Sequence, residues 1–463
     1  MTTADTTDPR FGFETRQVHA GEKFAADRPR ITPIHASAGY LFDSFDHAQS
    51  RFAGEDPGFV YSRTSNPTNA VAEQRLAALE GGVGAVLTGS GQAAATVAFL
   101  SIVGAGDHIL SSAHIYEGTR NLFRRTFARL GIETDFVQDA GDPSEWARLI
   151  RPNTKALFGE PVSNPTNELL DVTAVAEVAH RHGIPLVIDN TIPTPYLHRP
   201  VEHGADIVVH STSKFLAGHG AAIGGAIVDG GTFPWHDHAD RYPYFDEQFR
   251  SGKNYWEAFG PKVYWGHTRS RPAADIGPHY PAVQAFQLLQ GIDTLSLRME
   301  RHASNALAVA QWLEEQPEVS YVNYTGLKSS SQHHLAERYL PRGAGSVFSF
   351  DLAGSRDAAR TLIDSVELFS RMTHIGDVRS LILNPATTTH SRLTQAERDE
   401  LRVGPGLVRL SVGIESVEDL IADLDLGFRA LRRRRPAGAV PPAVAPAAVH
   451  VQAQSAASAS SRD

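Results

Sequence analysis

The chain has 463 residues, 41% of them hydrophobic, enough for two or three domains with substantial cores. A net charge of -9, with its 43 Lys and Arg scattered apart from one late run, leaves no basic field for nucleic acid. The absence of cysteine excludes disulfides, thiolate catalysis and Cys-based zinc sites, and makes a reducing compartment the natural home.

Met1 to Arg10 are polar and acidic without an apolar core, and no stretch approaches the roughly 18 uninterrupted apolar residues of a membrane span, so a cytoplasmic protein is expected. Residues 1–65 show weak periodicity and read as an arm of the kind that crosses to a partner subunit. An α/β domain over 66–260 follows. In it, apolar runs at Gly84–Thr88, His108–Ser111, Lys155–Gly159, Pro185–Asp189, Ile207–His210 and Gly225–Val228 predict strands of a mostly parallel sheet. Gln92–Leu100, Gly118–Leu130 and Val172–His182 carry apolar residues at helical spacing, with Gly131 and Gly183 as stop signals.

Over 261–435 the pattern changes to helices at Ala282–Gln290 and Leu295–Glu315, strands near Val319–Tyr324, Ser346–Asp351 and Leu407–Ile414, and a closing helix from Val417, which predicts a smaller α+β domain. Residues 436–463, rich in Ala, Pro and Ser, cannot bury enough apolar surface to offset ordering entropy and are expected to be a disordered tail.

Chemistry concentrates at strand ends. His210-Ser-Thr-Ser-Lys214 follows the apolar run Ile207–Val209, which puts Lys214 at the sheet edge where open α/β folds bind ligands. A lysine amine forms an imine with an aldehyde, and the Ser211 and Ser213 hydroxyls suit a phosphate; a helix cap followed by a surface lysine is the competing reading. Upstream, Asp189 ends the apolar strand Pro185–Asp189, where a carboxylate either holds a pyridine nitrogen protonated or caps a turn. In Thr88-Gly-Ser-Gly91-Gln92, a glycine turn opens a helix whose free N–H groups favour phosphate. A dinucleotide site is disfavoured, because Ser111 and Ser112 stand where its acid belongs.

Tyr116, just past the strand His108–Ser111, is placed either to stack on a ring or to start a helix core. Tyr61 and Arg63 offer a phenol and a guanidinium for a phosphate, or a surface pair. Arg409, in the apolar strand Val408-Arg-Leu-Ser411, needs a partner that an amino-acid carboxylate or a structural ion pair would supply. His236-Asp-His238 and Gln332-His-His334 lack a third ligand, so no metal is expected.

Together, Tyr61, Arg63, Ser90-Gly-Gln92, Tyr116, Asp189-Asn190, Ser211-Thr-Ser-Lys214 and Arg409 resemble, in order and spacing, the Cys/Met-metabolism family of pyridoxal-phosphate (PLP) enzymes. Leu79-Glu-Gly-Gly82, Leu289-Gln-Gly-Ile-Asp293, Gly376-Asp-Val-Arg-Ser380 and Pro385-Ala-Thr-Thr-Thr-His390 are most similar to its O-acetylhomoserine sulfhydrylase branch. The resemblance implies an α/β fold of the aspartate-aminotransferase-like type I and a homotetramer of paired dimers. It implies PLP held by Lys214 as a Schiff base, with Tyr61 and Arg63 reaching the phosphate of a neighbouring subunit. Gly91, Gln92, Ser211 and Ser213 would also contact phosphate, Tyr116 would stack on the ring and assist catalysis with Lys214, and Asp189 would meet the ring nitrogen. Asn164 would meet the ring oxygen and the substrate, and Arg409 the substrate carboxylate.

Glu117, His374 and Asn384 depart from the family pattern, which has Gly, Asn and His there. The implied reaction is γ-substitution on O-acetyl-L-homoserine by sulfide or a thiol. A γ-lyase, or a transferase using another nucleophile, would share the same cofactor residues.

Overall fold

The computed structural model describes residues 6–22, 29–250, 252–353 and 355–434. The expected tail, 436–463, lies outside the described residues, as do 1–5 of the arm.

The first sheet is built from β1 (Gly84–Thr88), β2 (His108–Ser112), β3 (Glu133–Val137), β4 (Thr154–Gly159), β5 (Leu186–Asp189), β6 (Ile207–His210) and β7 (Gly225–Asp229). Their order is β1-β7-β6-β5-β4-β2-β3, with β7 antiparallel to both neighbours and the other pairings parallel. Both faces are covered, which is why the inner strands read as continuous apolar runs. The two-residue period then sorts their side chains. Val187, Ile207 and Val209 join Phe99, Phe123 and Phe158 on one side. Leu157, Leu186 and Ile188 join Val175, Val178 and Ala179 of the helix Val172–Arg181 on the other.

A short hairpin, β8 (Gln248–Arg250) and β9 (Lys253–Asn254), precedes the second sheet. That sheet comprises β10 (Tyr321–Asn323), β11 (Val347–Asp351), β12 (Ser370–Arg371), β13 (Leu381–Leu383) and β14 (Leu407–Ser411), in the order β10-β11-β14-β13-β12. Its buried strands pack on the helices Leu295–Glu314 and Val417–Arg434, where Phe428 meets Trp312 at 5.5 Å.

Several elements went unread in the sequence. β3 starts Glu-Thr-Asp and buries only Val137 fully, as an edge strand does, so it shows no continuous apolar run. The helix Pro67–Glu80 is buried on most sides and therefore carries no amphipathic stripe. The expected helix over 118–130 is instead Glu117–Asn121, running into a π-helical turn at Leu122–Phe127. The N-terminal stretch is partly docked on its own chain: in the helix Phe13–His19, Arg16 Nη1 donates to Ala78 O at 2.6 Å and Gln17 Nε2 to Ser296 Oγ at 2.9 Å.

β7 passes so close to the turn after β1 that a Cβ on Gly225 would lie 2.1 Å from Ser90 O. Gly225→Ala must therefore displace backbone. The variant is expected to lose about 1–3 kcal/mol of stability, read as a lowered midpoint in thermal unfolding.

Candidate active site

The parallel strands end at one edge of the sheet, and the residues just past β1, β2, β4, β5 and β6 converge there, as the geometry of open α/β sheets dictates. Lys214 lies four residues beyond β6, and its Nζ is 2.9 Å from His374 Nδ1. Burial, then the charge of Arg409, lowers the Lys214 amine to about 8. His374 is held down to about 4 by burial and by Lys214.

Arg409, at the centre of β14, is 3% exposed. Its Nη2 donates to Thr373 O (3.0 Å) and His374 O (3.1 Å), and its Nη1 to Asn164 Oδ1 (3.4 Å). Nε is buried without a partner, and burial lowers the guanidinium to about 10.

Asp189 accepts from the Thr191 amide (3.0 Å) and hydroxyl (2.5 Å). Burial raises it, while those hydrogen bonds and His210 pull it down. Thr191 Oγ1 also accepts from Ser211 N–H at 2.8 Å, tying the end of β5 to the segment bearing Lys214. Glu160, one residue past β4, accepts from the Tyr116 amide at 2.6 Å. Burial and then the Asp189 carboxylate hold Glu160 well above the usual carboxylate range. Burial, with Glu160 and Asp189 behind it, also raises Tyr116, so its phenol keeps its proton.

The helix Gly91–Leu100 is capped by Ser90 Oγ on Ala93 N–H (3.1 Å), and the Gly91 and Gln92 amides at its first two positions have no intrahelical acceptor. A Cβ on Gly91 would lie 2.7 Å from Ser211 Cβ, so glycine is what brings this helix start against Ser211. Gln92 Oε1 accepts from Thr119 Oγ1 at 3.1 Å.

Lys214 and Arg409 are thus joined by contact through His374, Asn164 joins them through Arg409, Tyr116 and Asp189 are coupled by charge, and Gly91 and Ser211 adjoin each other. Ser213 Oγ is engaged with its own loop, accepting from Gly224 N–H at 2.9 Å. Tyr61 and Arg63 stand elsewhere: Arg63 lies 5.8 Å from the Tyr61 ring centroid and donates to Ala274 O. Sequence reasoning missed Glu160 and Thr191. Glu160 was detectable, since it is an acid ending an apolar strand as Asp189 is. His374 was noticed only as a departure from pattern.

These donors fit PLP. A desolvated amine suits its aldehyde, a close-packed helix start with Ser211 beside it suits its phosphate, and a buried carboxylate suits its ring nitrogen.

Comparison with known proteins agrees. The model of the family described as Cys/Met metabolism PLP-dependent enzyme matches residues 14–429. The chain is 48% identical over 432 residues to an O-acetyl-L-homoserine sulfhydrylase of Corynebacterium glutamicum, covering 91% of this chain and 98% of that one. It is 44% identical over 415 residues to a homocysteine synthase of Schizosaccharomyces pombe, covering 89% and 96%. A crystal structure of a putative O-acetylhomoserine (thiol)-lyase from Campylobacter jejuni, with a pyridoxyl-lysine monophosphate, superposes with a TM-score of 0.87 at 35% identity, covering 90% of this chain and all of that one. The fold is therefore the PLP-dependent transferase type I, and the chain belongs to the Cys/Met-metabolism family of PLP-dependent enzymes.

Proposed function

We propose that the protein catalyses γ-substitution on O-acetyl-L-homoserine, with sulfide or a thiol replacing acetate at Cγ to give homocysteine or its thioether. The observation that carries this reading is a half-buried Lys214 amine linked through His374 to a buried, immobilised Arg409 guanidinium, in a chain 48% identical to a sulfhydrylase acting on that ester.

PLP, when bound, supplies an aldehyde for the substrate amine and a protonated ring that draws electrons from the amino acid. The chain's own residues do the rest. Arg409, fixed by Asn164 and two carbonyls, offers its unpartnered Nε–H to the substrate carboxylate, a charge-assisted contact that orients Cα toward Lys214. An amine lowered to about 8 exchanges protons near neutrality, so Lys214 Nζ serves as base and acid at Cα and Cβ. Asp189, kept in place by Thr191, is the partner for the ring nitrogen, and Tyr116 covers the ring with a neutral phenol. Gly91, Gln92, Ser211 and Ser213 are the phosphate cradle, and Asn164 turns its amide to ring oxygen and substrate.

The exposed Tyr61 and Arg63 belong, in this reading, to the phosphate site of a neighbouring subunit within a homotetramer of paired dimers. The units 1–65, 66–260 and 261–435 are, in the same reading, an arm contributing to the neighbouring subunit, the PLP-binding α/β domain and a smaller C-terminal α+β domain. Among the described residues, no helix is long and apolar enough to cross a membrane. A cysteine-free chain suits the cytoplasm.

The purified enzyme given O-acetyl-L-homoserine is expected to form homocysteine only when sulfide is added; 2-oxobutyrate without sulfide would identify a γ-lyase instead. Lys214→Ala should remove the visible absorbance of bound cofactor and cut turnover by about a hundredfold or more. Asp189→Asn should keep that absorbance and lose most of the rate, as stopped-flow turnover can measure. The rate at which apoenzyme takes up PLP should rise with pH through about 8 and flatten above it, because Lys214 attacks only after shedding its proton there.

A further inference from the structure

One titratable group in this pocket has no task in the chemistry above. His374 sits on the loop between β12 and β13, with its backbone oxygen held by Arg409 and its Nδ1 2.9 Å from Lys214 Nζ. The groups facing it are Lys214, Arg409, Asp377 and the Ser213 backbone. A lysine ammonium only donates, so Nδ1 is the acceptor and the ring proton stands on Nε2. That Nε2 is buried with no hydrogen-bond partner, an arrangement that costs stability unless a ligand supplies an acceptor. Burial and the lysine charge keep the imidazole neutral at physiological pH, so the N–H is a standing donor.

An O-acyl amino acid brings three polar parts. Its amine goes to Lys214's position, its carboxylate to Arg409, and its ester carbonyl needs a donor. We propose that His374 is a specificity-determining residue: anchored through Nδ1 on Lys214, its ring directs Nε2–H at the carbonyl oxygen of the substrate's γ-acyl group. The inference rests on the γ-substitution reading and names what selects an acyl ester. When a proton has left Cβ, its electron pair forms the Cβ–Cγ double bond, and the Cγ–O pair departs on the carboxylate. The charge arriving on the carbonyl oxygen strengthens the bond from Nε2–H, and no proton need cross.

Two measurements test it. In the apoenzyme, pH-dependent acylation of Lys214, followed by mass spectrometry, should titrate near 8 in the wild type. It should titrate about one unit lower in His374→Phe, which keeps the ring and removes the acceptor that favours the ammonium. In the holoenzyme with sulfide, His374→Phe should lose about tenfold or more in kcat/KM for O-acetyl-L-homoserine. It should lose far less on L-vinylglycine, which already carries the Cβ–Cγ double bond and has no acyl group, so that the ratio of ester to vinylglycine kcat/KM falls by about tenfold. His374→Gln, retaining an acceptor and an N–H, should recover part of the ester rate.

Equal losses on both substrates, or an unchanged Lys214 titration, overturn the proposal. A wild type that makes no sulfide-dependent product from the ester overturns the γ-substitution reading instead, and the apoenzyme titration still judges the His374 contact on its own.

Discussion

Two cations, the Lys214 amine and the Arg409 guanidinium, share a pocket from which water is largely removed, and that crowding governs the rest of the site. Desolvation makes each charge expensive and their mutual repulsion adds to it, so the amine yields its proton readily. The nearby carboxylates do not neutralise the pair. Asp189 is bound up with Thr191, and Glu160 is pushed toward its protonated form by burial and by Asp189. The missing negative charge has to arrive with ligands, and the phosphate and α-carboxylate of the proposed reaction would bring it.

Holding such a pocket open depends on buried polar ties at the strand ends. His210, the last residue of β6, meets Glu80 at 2.6 Å, both fully buried. Asn190, next to Asp189, donates to the same Glu80 oxygen at 2.9 Å. Arg298 donates to Phe215 O (2.7 Å) and Gly291 O (2.6 Å), fastening the chain just past Lys214 to the long helix of the second unit. Removing one member of such a set leaves a buried group uncompensated, so these residues fix the relative position of Asp189 and Lys214 more than they add stability.

Legibility followed burial and locality. The inner strands were readable because apolar residues on both faces leave an unbroken run, whereas β3 and the helix Pro67–Glu80 lack the periodicity that an amphipathic element shows. Lys214 and Asp189 were found because strand ends are local features. Glu160, an acid one residue past an apolar strand, is as legible as Asp189, whereas a hydroxyl residue such as Thr191 two residues past a strand does not announce its role without its partners. The family was legible through motif order, and the comparisons bear it out over residues 14–429.

The alternation of strands and helices, the placing of Lys214, Asp189 and the Gly91 turn at one sheet edge, and the absence of thiol chemistry are all legible in the primary structure. Each depends on a residue and its immediate neighbours. Folding alone brings Asn164, His374 and Arg409, from three separated segments, around Lys214, and leaves Tyr61 and Arg63 elsewhere. Contact across hundreds of residues is a property of packing. The shifted protonation of Lys214, His374 and Glu160 follows from the burial that packing creates, which residue type alone does not encode.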